Sequence, residues 1–210
     1  MAALTWKEGK VISIETRENI FVLAQLGPEP YLIIFNLFSH NDVWKDVELT
    51  PESILFCHAV TRSFLKRSKL TEKKHIESLK TIEYPKYWIS KSPNSYTVKI
   101  WAGTPDEMNF LSLGEGGASL VENDITVSGF KETKIIIPVI SPNDKETINK
   151  FELTSISIYP EFNERLFLCY KFKKNVDPAK ALLFNHDLPV EYKRYFQIVS
   201  GQVELSELGY

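Results

Sequence analysis

Between residues 10 and 60 the apolar side chains return at every second position and are cut by short turn-forming runs, a period that commits the front of the chain to strands. Over residues 10–16, Val11, Ser13 and Glu15 share one face and Ile12 and Ile14 the other. Arg17, Glu18 and Asn19 make a polar turn, and residues 20–26 (IFVLAQL) return as the second arm of a hairpin. Gly27, Pro28, Glu29 and Pro30 then force a loop, because two prolines within three residues stop either kind of ladder. Residues 31–38 (YLIIFNLF) are apolar almost throughout, so this strand is expected in the middle of the sheet, covered on both faces. After a turn at SHND, residues 43–48 read as a short strand of mixed polarity, and residues 54–60 as a fifth. Such a meander predicts a curved antiparallel sheet, half-barrel-like.

Beyond residue 60 the pattern changes. Leu70, His75, Ile76 and Leu79 recur at helical spacing with Thr71 as N-cap, which predicts a helix over residues 68–80. An aromatic link (residues 84–88) leads to a strand at 96–101, a loop-rich stretch at 103–117 and strands at 125–130 and 134–140. A short helix is expected at 144–150 and a strand at 154–159, while residues 161–174 fit helix or strand. Asp177-Pro178 starts a helix, with Asp as N-cap and Pro at the first helical position, and Pro189 opens another. The expected class is α+β, with the curved sheet at the front and helices packed on it towards the C-terminus. With 210 residues and no linker, repeat or low-complexity tract, residues 1–210 read as a single domain.

Charge narrows the function classes. Lys plus Arg total 25 against 27 Asp plus Glu, a net charge of -2 without the basic excess of a protein that grips DNA by charge. Only 5 of the 25 basic residues are Arg, the side chain that forks onto phosphates and guanine edges. His40, His58, His75 and His186 lie far apart without metal-ligand spacing, so no metal or cofactor is expected. Cys57 beside His58 resembles a nucleophile and its base, but neighbours on a strand point to opposite faces. Gly114-Glu115-Gly116-Gly117 lacks the rest of a phosphate-binding loop. Nothing here marks an enzyme. The start has no apolar leader segment, and no apolar run approaches the ~20 residues of a membrane span, so a cytoplasmic protein without membrane contact is expected.

Two surface features remain as candidates. If residues 42–48 form a strand, Asp42, Trp44, Asp46 and Glu48 share one face, placing three carboxylates beside an indole, an arrangement suited to anchoring a basic partner. The competing reading is an edge strand whose charges discourage aggregation, with Trp44 folded back onto the core. The cluster Lys66, Arg67, Lys69, Lys73 and Lys74 is interrupted by Glu72 and Glu77; it is either the solvated face of a helix or a nucleic-acid footprint.

The front of the chain resembles the immunity protein 26 family of bacterial polymorphic-toxin and contact-dependent inhibition systems. The resemblance lies in an opening of the form [YW]-K-x-G-x-V-[FI]-x-I, matched by Trp6, Lys7, Gly9, Val11 and Ile14. A hairpin return ending in Ala24 and Gln25 follows, then an ILF-x-x-x-V strand at Ile54, Leu55, Phe56 and Val60. Lys10 stands where an Asp commonly follows the Gly. Residues 1–90 carry the likeness and 91–210 are not placed by it. The resemblance implies an α+β antitoxin that binds one cognate toxin domain, a basic nuclease being the expected kind, and covers its active site. Asp42, Trp44, Asp46 and Glu48 are then the expected toxin-binding residues. The alternative is a nucleic-acid-binding module using the Lys66 to Lys74 cluster.

Overall fold

The computed structural model describes residues 4–114, 117–123, 125–126, 129–130 and 134–210. The chain gathers into two compact units, each built from several stretches. The first comprises residues 1–85, 125–129 and 155–176; the second comprises 86–124, 130–154 and 177–210. The chain passes from one to the other repeatedly, so no single linker exists for the sequence to display.

The first unit begins with β1 (Val11–Glu15), β2 (Phe21–Leu26), β3 (Tyr31–Ser39) and β4 (Ile54–Val60). A turn joins β1 to β2 with Glu18 and Asn19 both at positive φ (59° and 56°) and Ile20 N–H bonded to the Arg17 carbonyl. That is the twist-matched geometry favoured in tight hairpins. Helix α1 (Arg62–Arg67) follows, its start capped by Thr61 Oγ1, which accepts from Phe64 N–H at 3.1 Å. Strand β5 (Leu70–Glu72) then pairs antiparallel with β1.

The second unit opens with β6 (Tyr87–Lys91), β7 (Ser95–Ile100), β8 (Met108–Leu113) and β9 (Ala118–Glu122). The chain passes briefly through the first unit at β10 (Ile125–Thr126), which pairs with β11 (Gly129–Phe130), and continues in the second with β12 (Lys134–Ile137) and helix α2 (Lys145–Lys150). The chain returns to the first unit with β13 (Ile156–Ser157) and helix α3 (Glu161–Phe172), and ends in the second with α4 (Pro178–Leu183) and α5 (Lys193–Ser200).

The α+β class is as expected: a curled six-stranded sheet, ordered β13-β4-β3-β2-β1-β5, forms a half-barrel, with helices towards the C-terminus. Only β13 runs parallel to its neighbour. The sheet is covered on both faces, which is why β1 and β3 carry few polar residues. On one face Val11, Leu23, Ile33, Phe35, Trp44, Leu49 and Ile76 pack as a core. On the other lies α3, whose Phe162 meets Phe56, His58 and Phe64 with ring centroids 5.3–6.2 Å apart. In the second unit β12, β9 and β6 make a three-stranded sheet over Ile140, Ile148, Leu153 and Phe184, while β7 and β8 pair separately. Asp144 and Asp177 cap α2 and α4 through their carboxylates.

Several sequence expectations need correction. Residues 43–48 form no strand: Asn41 Oδ1 accepts from Val43 N–H at 3.2 Å, a local turn that competes with a ladder, and Asp46 sits at φ 51°. Residues 68–80 are not a helix. The edge of β1 recruits residues 70–72 as β5, and this pairing overrides the helical spacing of Leu70, Ile76 and Leu79. The loop expected at 103–117 contains β8, and the aromatic link runs into β6. The ambiguous stretch at 161–174 is α3, ended by Lys173 in the left-handed region (φ 53°). Of the glycine run, residues 115–116 lie outside the described residues, as do 127–128 of the strand expected at 125–130. Among the described residues no helix is long and apolar enough to cross a membrane.

Candidate functional site

The loop between β3 and β4 belongs to the first unit and is built around Trp44. With only 7% of its surface exposed, the indole lies among Val11, Leu23, Ile33 and Phe35 instead of facing outward as an anchor. Its Nε1–H donates to Asp42 Oδ1 at 3.0 Å and to Ser13 Oγ at 3.3 Å. Asp42 in turn receives Lys73 Nζ at 2.6 Å on Oδ2 and at 3.2 Å on its backbone carbonyl. His75 Nε2 donates to the Trp44 carbonyl at 2.9 Å. These bonds tie the loop to the segment that leaves β5.

Asp42, Trp44, Asp46 and Glu48 therefore do not share one face. Trp44 is core, Asp42 is half-buried and paired, and Asp46 and Glu48 are exposed, with the exposed Lys45 just before them. This is the competing arrangement for Trp44, reached through a loop in place of an edge strand. The sequence reading missed Lys73 as the partner of Asp42, because the pair is separated by 31 residues. The one local signal was Ser13, a polar residue inside an apolar strand and a natural place for a buried hydrogen bond.

Burial pushes the Asp42 carboxyl up, but hydrogen bonds from Lys73, Ser13 and Trp44, with the Lys73 charge, outweigh it and hold the pKa below the ordinary value. A carboxyl lowered in the folded state contributes stability above the unfolded pKa of about 3.9 and loses it as pH falls through the folded value. Urea denaturation between about pH 5 and about pH 2, from roughly one unit above that pKa to roughly two below it, should show a steeper loss of stability for the native protein than for Asp42→Asn. Parallel curves would mean that the pair contributes nothing.

The basic cluster splits. Lys66, Arg67 and Lys74 are exposed, Lys69 pairs with Glu15 at 2.9 Å, and Lys73 turns inward to Asp42. His58 is fully buried, bonded through Nε2 to Ser157 Oγ at 2.9 Å and stacked on Phe162. Both partners lie inside the sheet–helix packing, so this is a structural pair. Cys57 packs with the core on the opposite face, and neither Cys57 nor Cys169 is in a disulfide. Among the described residues no three His, Cys, Asp or Glu side chains gather as a metal site.

The first unit is thus a half-barrel module that presents a pinned loop with two exposed carboxylates. The chain belongs to the family described as Domain of unknown function (DUF8309), whose model matches residues 1–188. No curated protein and no solved structure matches it.

Proposed function

We propose that the protein is a bacterial immunity protein that acts in the cytoplasm by binding one cognate toxin domain, a basic nuclease, and covering its active site. The carrying observation is the loop pinned by Trp44 and the Asp42–Lys73 pair, which holds Asp46 and Glu48 in solvent on a fixed base. Fixed carboxylates steer a basic partner and speed its docking, and a rigid loop loses little entropy on binding. The opening motif supports the same reading as a structural clasp. Trp6 Nε1–H donates to the Gly27 carbonyl at 3.0 Å, and Gly9, at φ 82°, bonds to the Leu26 carbonyl. In this reading the protein binds its toxin and catalyses no reaction of its own. The nucleic-acid alternative is weaker, because Lys69 and Lys73 are occupied by Glu15 and Asp42.

The test is co-expression with the product of the gene that ends immediately upstream. Growth should be rescued and a complex should be isolated. Asp46→Lys with Glu48→Lys should slow association about tenfold at low salt, an effect that fades as salt screens it. Failure of rescue together with no complex between the purified proteins overturns the reading.

A further inference from the structure

β5 is the outer strand of the six-stranded sheet, and among the described residues no strand pairs with its second edge. Its pairing with β1 places Ser13 opposite Thr71, flanked by Glu15 N–H bonded to the Lys69 carbonyl and Lys73 N–H bonded to the Val11 carbonyl. Antiparallel ladders alternate, so Lys69, Thr71 and Lys73 turn their backbone groups to β1 while Leu70 and Glu72 turn theirs outward. Neither Leu70 nor Glu72 makes a further backbone bond among the described residues. The two outward positions are about 7 Å apart, the repeat of an extended chain.

A cleft of about 600 Å³ runs along this edge. Leu4, Phe21, Leu65 and Leu70 supply its apolar lining, and Lys66 and Lys69 its amines. Glu15 and Glu72 also line the cleft, and the surplus of positive charge comes from Lys66 with Arg67 and Lys74, which flank the lining residues in sequence. Glu15 is matched by Lys69 and Glu72 by Lys10, whereas the exposed Lys66, Arg67 and Lys74 make no ion pair among the described residues.

We propose that this edge is a docking site for an extended acidic segment of a partner protein, which adds to β5 as a seventh strand. Four outward backbone groups supply the ladder and the cleft takes alternate side chains. The free cations select carboxylates over amines. The site does not depend on the toxin reading: it lies on β5, and its partner chemistry is opposite to that expected at Asp46 and Glu48.

The test uses fluorescein-labelled peptides that alternate Val with Glu, with Gln or with Lys, titrated against the full chain by anisotropy. The Glu peptide should bind about tenfold or more tighter than the Lys peptide, with the preference shrinking as salt rises. Hydrogen exchange should show protection gained at the Leu70 and Glu72 amides. Lys66→Glu with Arg67→Glu, which touches no ladder bond, should weaken the Glu peptide about tenfold. Leu70→Pro removes an outward donor that β1 does not use, an edge position where proline is tolerated, and should abolish the protection. Should that variant fail to fold, the double charge variant and the exchange map decide alone. Equal binding of the three peptides, no binding of the Glu peptide, or protection away from β5 overturns the proposal. So does tight binding of a single-stranded RNA oligonucleotide where the Glu peptide does not bind, since the edge is then a nucleic-acid footprint.

Discussion

Trp44→Ala is expected to cost the free protein about 3–5 kcal/mol, the range for removing a buried large aromatic side chain. The indole fills the space between Val11, Leu23, Ile33 and Phe35, and its removal leaves a cavity that the paired strands β1, β2 and β3 cannot close without shifting register. It also removes the donor shared by Asp42 and Ser13. A domain's total stability is about 5–15 kcal/mol, so the substitution should lower the denaturation midpoint severely before any partner is present. Trp44→Phe keeps most of the apolar volume and loses only the N–H, so about 1–3 kcal/mol should disappear, the cost of leaving a buried polar group short of a bond. Equilibrium denaturation in guanidinium, followed by circular dichroism, separates the two. A loss below about 1 kcal/mol for the alanine variant would mean that the indole is not core, since surface changes stay within about ±0.5 kcal/mol.

The same tryptophan shows what local pattern conveys and what it leaves out. β1 to β4 were legible because apolar alternation and turn chemistry agree there: Glu18 and Asn19 accept the left-handed turn, and Gly27 to Pro30 break the ladder. In residues 42–48 the alternation of Asp, Trp, Asp and Glu with Val, Lys and Val imitates a strand, yet a side-chain turn at Asn41 and the left-handed Asp46 prevent it. Whether Trp44 faces solvent or core was decided by Ser13 and Lys73, distant in sequence, and no periodicity encodes a partner at that separation. β5 failed for a related reason, since its strand character comes from the edge of β1. In α3 the run of buried residues erases the period that would tell helix from strand. Of the candidate site, then, the residue types and the competing role of Trp44 could be read, whereas the loop conformation and the Lys73 contact could not.

Arg17→Met is expected to be nearly as damaging, through charge. Glu164 lies in the first turn of α3 with its side chain fully buried, facing Arg17 Nε at 3.3 Å on Oε1 and 3.0 Å on Oε2. The guanidinium also lies 3.6 Å above the Phe167 ring, so one planar group both faces the carboxylate and covers the aromatic. Methionine retains the packing over Phe167 but takes away the guanidinium, and breaking a buried pair from one side costs about 3–5 kcal/mol because the remaining charge stays desolvated. Glu164→Gln alone should cost less, since a neutral amide is cheaper to bury. If desolvation is the cause, adding Glu164→Gln to Arg17→Met should restore stability, not lower it further. The double-mutant cycle should then give a coupling above about 1 kcal/mol. Arg17→Lys should not substitute, because an ammonium cannot lie flat on Phe167 while reaching both oxygens. Denaturation of the four cycle members at pH 7 measures this directly. Additive losses would show that Arg17 acts only by packing on Phe167, and that α3 is held to the sheet by its apolar face and by Asn163, which bonds Ser68 and the Glu15 carbonyl.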